Sequence, residues 1–176
     1  AVIGTSSSRR KAQMLHLRND LVMKDIRGNV PTRIQKLRDG HYDGILLAAA
    51  GVTRLALDLS DFEVIYFHPR EFTPAPSQGV LAFQCRAEDV ETRKILAKLH
   101  HSDVSSCTNV ERKVLKMMGG GCHMPLGVYC EKDSAGNYRA YGSMAHHVDE
   151  PLTKVSIAQT TTDQLAENLF NALNKK

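Results

Sequence analysis

Apolar and polar positions in the first sixty residues alternate between short apolar runs and longer stretches with helical spacing. "AVIGTS" (1–6), "LVMKDI" (21–26) and "YDGILLAA" (42–49) have strand length, and the last predicts a buried strand. Between them, "SSRRKAQMLHLR" (7–18) and "TRIQKLRDG" (32–40) predict helices, the second ended by Gly40. Strands alternating with helices at this spacing predict βαβ units and a parallel sheet. After residue 60 the pattern breaks: the proline-rich "HPREFTPAPSQG" (68–79) reads as a linker, followed by one more strand, "VLAFQC" (80–85). Residues 88–100 and 102–118 read as helices, and the second puts Cys107, Val110, Val114 and Met117 on one face. "CHMPLGVYCEKD" (122–133), "NYRAYGSMAHH" (137–147) and "LTKVSIAQ" (152–159) then predict three strands, the first two joined by the turn "DSAGN". "TTDQLAENLFNAL" (161–173) closes as a helix, with Thr161 and Gln164 spaced as a capping box.

With 176 residues, 42% of them hydrophobic, the chain can form one ordinary domain or two small ones without covalent staples. Its four cysteines, Cys85, Cys107, Cys122 and Cys130, form no C-x-x-C pair, which points to a reduced, cytoplasmic setting. The longest apolar run, "ILLAAAGV" (45–52), falls well short of the roughly 20 residues that span a bilayer. No charged-then-apolar signal segment opens the chain, so the expectation is a soluble protein with no membrane partner. The start, inside a strand and without Met, suggests part of something longer.

Charge is uneven. Residues 1–40 hold nine Lys/Arg against three Asp, a local +6, while the remainder is at −2 within a chain total of +4. A basic excess confined to one region suggests an anionic partner there. Nucleic acid fits poorly, because no aromatic residue precedes Tyr42 to stack a base and no helix-turn-helix or zinc-finger spacing is present. Small polyanions fit better. "GTSSSRR" (4–10) lies at a strand-to-helix junction, where unpaired backbone N–H groups and the helix dipole favour an anion. Hydroxyls of Thr5, Ser6 and Ser7 add donors, and Arg9 and Arg10 add planar forks matched to carboxylates. "DIRGNVPTR" brings Arg27 and Arg33 to the next strand end, where open α/β sheets bind ligands, and Arg54 repeats the device at the third.

In "MGGGCHMPLGVYC" (118–130), Cys122 follows three glycines and stands three residues before Pro125, a loop setting. Four readings of this cysteine compete: a buried small hydrophobe, a metal ligand, a nucleophilic thiolate and a covalent anchor for a prosthetic group.

"GTSSSRRKAQ", "DIRGNVPTR", "YDGILLAAAGVTRL", the "SQG" turn before "VLAFQCR", and "GGGCHMPLGVY" together resemble consecutive motifs of the porphobilinogen deaminase (hydroxymethylbilane synthase) family. The resemblance spans nearly the whole chain in the family's order. It implies a cytoplasmic transferase that joins four porphobilinogen molecules head to tail, releasing ammonia, to make the linear tetrapyrrole hydroxymethylbilane of haem biosynthesis. It implies a dipyrromethane cofactor held by a thioether to Cys122. Cofactor carboxylates would be held by Arg9, Arg10, Arg27 and Arg33 with Thr5 and Ser7, and substrate carboxylates by Arg9, Arg10, Arg27, Arg33 and Arg54. A full-length monomer is also implied, with no metal and no nucleic-acid partner.

The implied architecture is α/β. Residues 1–76 would form the family's second domain, periplasmic-binding-protein-like, with a mixed or parallel sheet and helices on both faces. Residues 77–96 would return to an incomplete first domain, and 97–176 would form a small α+β domain with a three-stranded antiparallel sheet, carrying Cys122. The family's catalytic aspartate precedes the first motif and matches no residue here, so a C-terminal portion, inactive alone, is expected. Ser8 and His123 also depart from the family's usual residues. Two other readings stay open: a non-enzymatic module binding small polyanions, and a zinc protein using Cys122, His123 and a distant ligand pair. The pairs His100–His101 and His146–His147 are neighbours in sequence that point different ways, which makes them poor metal sites.

Overall fold

The structure, a computed structural model, describes residues 1–120 and 124–175. Cys122 and His123 lie outside the described residues.

The first half builds β1 (Val2–Gly4), α1 (Ser8–Leu17), β2 (Val22–Lys24), α2 (Val30–Arg38), β3 (Gly44–Ile45) and α3 (Ala49–Arg54). β1 is central and pairs in parallel with both neighbours, giving the order β2-β1-β3. The chain therefore leaves β1 for one side and returns to the other, which makes the carboxyl ends of the strands a topological switch point. The starts of α1 and α2 are capped locally. The Ser7 side chain accepts from the Arg10 N–H, and Asn29 accepts from the Thr32 N–H at 2.9 Å with Pro31 in the first turn of α2. Gly40, at φ 73°, ends α2 as expected: its N–H and that of His41 return to the carbonyls of Leu37 and Lys36.

Three expectations need correction in this region and just beyond it. The buried strand over 42–49 shrinks to two half-buried residues, because β1 ends at Gly4 and offers no ladder past the Leu46 N–H; the apolar residues that follow start α3 instead. No strand forms over "VLAFQC": Val80, Leu81 and Phe83 are exposed and have no partner strand among the described residues, and an extended segment needs one to be stable. The linker 68–79 is not loosely solvated throughout, since Thr73 within it is only 1% exposed.

The second half consists of α4 (Val90–Ala97), α5 (Ser102–Met117), β4 (Leu126–Lys132), β5 (Tyr138–Met144), β6 (Thr153–Gln159) and α6 (Leu165–Leu173). The three strands form an antiparallel sheet in sequence order, with Gly136 at φ 88° in the expected β4–β5 turn. Its core joins Val110 and Val114 of α5, Val128 and Cys130 of β4, Ala140 and Met144 of β5, and Leu165, Leu169 and Leu173 of α6. Gly142 lets α6 sit against β5, since a Cβ there would lie 2.7 Å from Leu173. On α5 the buried set is Cys107, Val110, Glu111 and Val114; Met117 is half-buried. The capping box at Thr161 does not form. α6 starts at Leu165 after Gln164 in a left-handed conformation (φ 52°) without a side-chain cap, its start set by the complete burial of Leu165 and Ala166.

Candidate functional site

The three loops at the carboxyl ends of β1, β2 and β3 surround an open pocket of 540 Å³. Arg10, Gly28, Asn29, Arg33, Leu47 and Ala48 contribute to its lining. Arg10 reaches it from the first turn of α1, steadied by a hydrogen bond from Nη1 to the Leu46 carbonyl at 2.8 Å. Arg33, on α2, donates from Nε to the Gly28 carbonyl at 2.8 Å. The remaining guanidinium N–H groups of both residues have no acceptor among the hydrogen bonds of the described residues. Burial lowers the Arg10 pKa from its ordinary value, and the neighbouring Arg33 charge lowers it further. Two cations held together, with no carboxylate between them among the described residues, make a site that gains from a bound anion. The N-terminus of α2 adds its dipole to the same wall.

The other sequence candidates take different positions. Arg9 points away from this pocket. It is 7% exposed and donates from Nη1 to the Thr73 carbonyl at 2.8 Å and from Nη2 to Gln78 Oε1 at 3.1 Å. Burial, then the Arg10 charge, lowers its pKa to about 10, so it stays charged at neutral pH. Arg27 is exposed, and its carbonyl accepts from Lys36 Nζ. Arg54 is exposed and donates to the Gly79 carbonyl at 3.1 Å. Thr5 is buried, and its Oγ1 accepts from the Ser7 N–H, while Ser7 caps α1. Ser6 Oγ both donates to the Ile26 carbonyl and accepts from the Ile26 N–H, which locks the turn after β1 onto the loop after β2. The structure thus brings Arg10 and Arg33 into one pocket, with Arg9, Arg27 and Arg54 outside its lining.

A second pocket, of 550 Å³, lies between the linker and the antiparallel half and is lined in part by Gln78, Cys107, Glu111, Tyr129, Cys130 and Lys132. Glu111 is the residue that sequence reading missed. Its two oxygens accept from the N–H groups of Cys130 (2.8 Å) and Ser77 (2.6 Å), and burial still raises its pKa. Burial also pushes the Cys107 and Cys130 thiols up, which holds both in the unreactive thiol form at neutral pH.

The family model described as "Porphobilinogen deaminase, dipyromethane cofactor binding domain" matches residues 1–94, and that described as "Porphobilinogen deaminase, C-terminal domain" matches residues 105–147. The chain belongs to the porphobilinogen deaminase family. A porphobilinogen deaminase of Shouchella clausii is 47% identical over 129 residues, covering 73% of this chain and 41% of its own length. One from Thermus thermophilus is 45% identical over 142 residues (81% and 46%), and one from Staphylococcus carnosus is 42% identical over 192 residues (100% and 61%). The chain therefore spans about half the length of these porphobilinogen deaminases. The Arg10–Arg33 pocket falls inside the segment matched by the cofactor-binding model, and Glu111, Cys107 and Cys130 fall inside the C-terminal match.

Proposed function

We propose that the whole protein is a porphobilinogen deaminase, a cytoplasmic transferase that joins four porphobilinogen units into hydroxymethylbilane, and that this chain supplies its carboxylate-binding pocket. The observation that carries the reading is the convergence of Arg10 and Arg33 on one pocket with no counter-carboxylate among the described residues. Each pyrrole bears an acetate and a propionate, so the ligand is a polyanion, and guanidinium groups that keep their charge at working pH suit it. The donor set fits the dipyrromethane group. Arg10 and Arg33, which line the same pocket, would bind its carboxylates while the N-terminus of α2 adds N–H donors. When bound, the group supplies the pyrrole terminus to which further units are joined. Arg27, exposed on the loop after β2, and Arg54, exposed at the end of α3, would meet carboxylates of a longer chain, and Thr5 and Ser7 hold the shape of the turn that presents Arg10. Arg9 would join the cradle only by releasing Thr73 and Gln78. Cys122 is the proposed thioether anchor.

The domain reading is part of the same proposal. Residues 1–76 would be one periplasmic-binding-protein-like lobe, 77–96 part of another domain, and 97–176 the C-terminal domain. In support, Val80, Leu81, Phe83, Val90 and Ile95 are exposed, as residues awaiting a further packing surface would be.

The test uses the full-length protein. Intact-mass measurement should find a dipyrromethane-sized adduct that is lost in Cys122→Ser, together with consumption of porphobilinogen. An unmodified Cys122 in protein that binds polycarboxylates without turnover would instead favour a non-enzymatic anion-binding module.

A further inference from the structure

Gln13 is among the most deeply buried polar residues of the chain, at 2% exposure, one turn after the arginines on α1. Its amide oxygen accepts the Thr73 N–H at 2.6 Å, and its amide nitrogen donates to the Thr73 carbonyl at 2.9 Å. Two opposed bonds to one backbone residue fix both distance and rotation, as a ladder pair between strands would. Thr73 and Pro74 in turn lie against β4. The Val128 N–H donates to the Pro74 carbonyl at 3.0 Å, and Gly127 leaves the space in which a Cβ would come 2.7 Å from the Thr73 carbonyl oxygen. Ala12, beside Gln13, joins Ala145 and Leu152 in a small buried cluster. The apolar contact holds α1 to the antiparallel half without direction, whereas the amide bonds have direction.

We propose that Gln13 is a positioning residue: through Thr73 it holds α1, and with it Arg10, in one register against β4. The inference rests on the reading given under Proposed function. Cys122 precedes β4 by four residues in the sequence, so in that reading the register of α1 against β4 relates the carboxylate-binding arginine to the anchoring strand. An error of about 1 Å in such a relation can slow turnover by up to about a hundredfold without abolishing binding.

The experiment compares Gln13→Met, Gly127→Ala and Thr73→Val in the full-length enzyme. Turnover is expressed per folded molecule carrying the Cys122 adduct, as counted by intact mass. Gln13→Met keeps the volume but removes both bonds, and Gly127→Ala presses on the same seam from the other side. Both should lower kcat by about tenfold or more while KM stays within about threefold, since Arg10 and Arg33 are untouched. Thr73→Val, which keeps the backbone bonds, should behave as wild type. Wild-type kcat per loaded molecule in both of the first two variants, with only thermal stability reduced, would overturn the proposal. So would failure of both to fold at low temperature, because a purely structural role would then suffice. If the wild-type enzyme carries no adduct and consumes no porphobilinogen, the functional reading itself has failed, a result distinct from either of these.

Discussion

The Glu111 carboxylate, on the inner face of α5, accepts the Cys130 backbone N–H of β4 at 2.8 Å, and its other oxygen takes the Ser77 N–H. A single buried side chain thereby ties a helix, a strand and the linker together. Glu111→Ala leaves two N–H groups without partners and should lower the unfolding free energy by about 2–4 kcal/mol, read from urea denaturation midpoints.

The same carboxyl gives a pH dependence with a definite sign. Burial raises its folded pKa above the ordinary 4.5, so on raising the pH the unfolded chain loses that proton first. Its contribution to stability is complete below 4.5 and is lost as pH climbs through the raised folded value. Glu111→Gln does not titrate, so the stability of wild type relative to this variant should decline as the pH rises above the ordinary 4.5. A difference that stays constant or grows over that range would contradict the assignment.

Arg9 and Arg10 should separate cleanly. Arg9→Ala removes charge-assisted bonds to Thr73 and Gln78 and should destabilise by about 1.5–3 kcal/mol. Arg10→Ala relieves repulsion with Arg33 and should leave the melting temperature nearly unchanged, while, on the proposed function, reducing porphobilinogen turnover of the full-length protein by about tenfold to a hundredfold. Thermal melts and steady-state rates on the full-length protein check both, and equal losses of stability in the two variants would contradict their division of roles.

Gly28 holds φ at 117°, and a Cβ there would lie 2.8 Å from Thr32. Gly28→Ala should cost about 1–3 kcal/mol through backbone strain, and should also disturb the carbonyl that steadies Arg33. A variant as stable as wild type, with unchanged affinity for carboxylates, would show that this loop relaxes freely.

The thiols of Cys107 and Cys130 are buried and held protonated, whereas Cys85 is half-exposed. Iodoacetamide at neutral pH should label Cys85 at least about tenfold faster than either of the others in folded protein, and unfolding should remove the difference. Peptide mass spectrometry follows all three. Rapid native labelling of Cys107 would mean that α5 opens locally.

Periodicity made the alternating elements up to α2 legible, along with the three antiparallel strands and the last helix, since each carries its own local signal in spacing, caps or Gly40. "VLAFQC" failed because a strand is a relation between segments, and its apolar residues have no described neighbour to pair with. Glu111 was invisible for a related reason: its partners Ser77 and Cys130 stand 34 and 19 residues away, and nothing in a helical glutamate announces them. The basic cluster was plain in composition, but the split between Arg9 and Arg10 was not. Successive helix positions are about 100° apart, so one arginine turns toward the linker and the other toward the pocket. Gln13 and Thr73 gave no signal, because their bond joins residues 60 apart, one on α1 and one in the linker.

Among the described residues β4 is an edge strand, with β5 on one side only. In its middle, the N–H groups of Val128 and Cys130 are taken by the Pro74 carbonyl and the Glu111 carboxylate, neither of which belongs to a strand. A neighbouring molecule that tried to extend the sheet there would find both donors already engaged. Variants that free either one should therefore become prone to self-association through edge-to-edge strand addition, even where the monomer still folds.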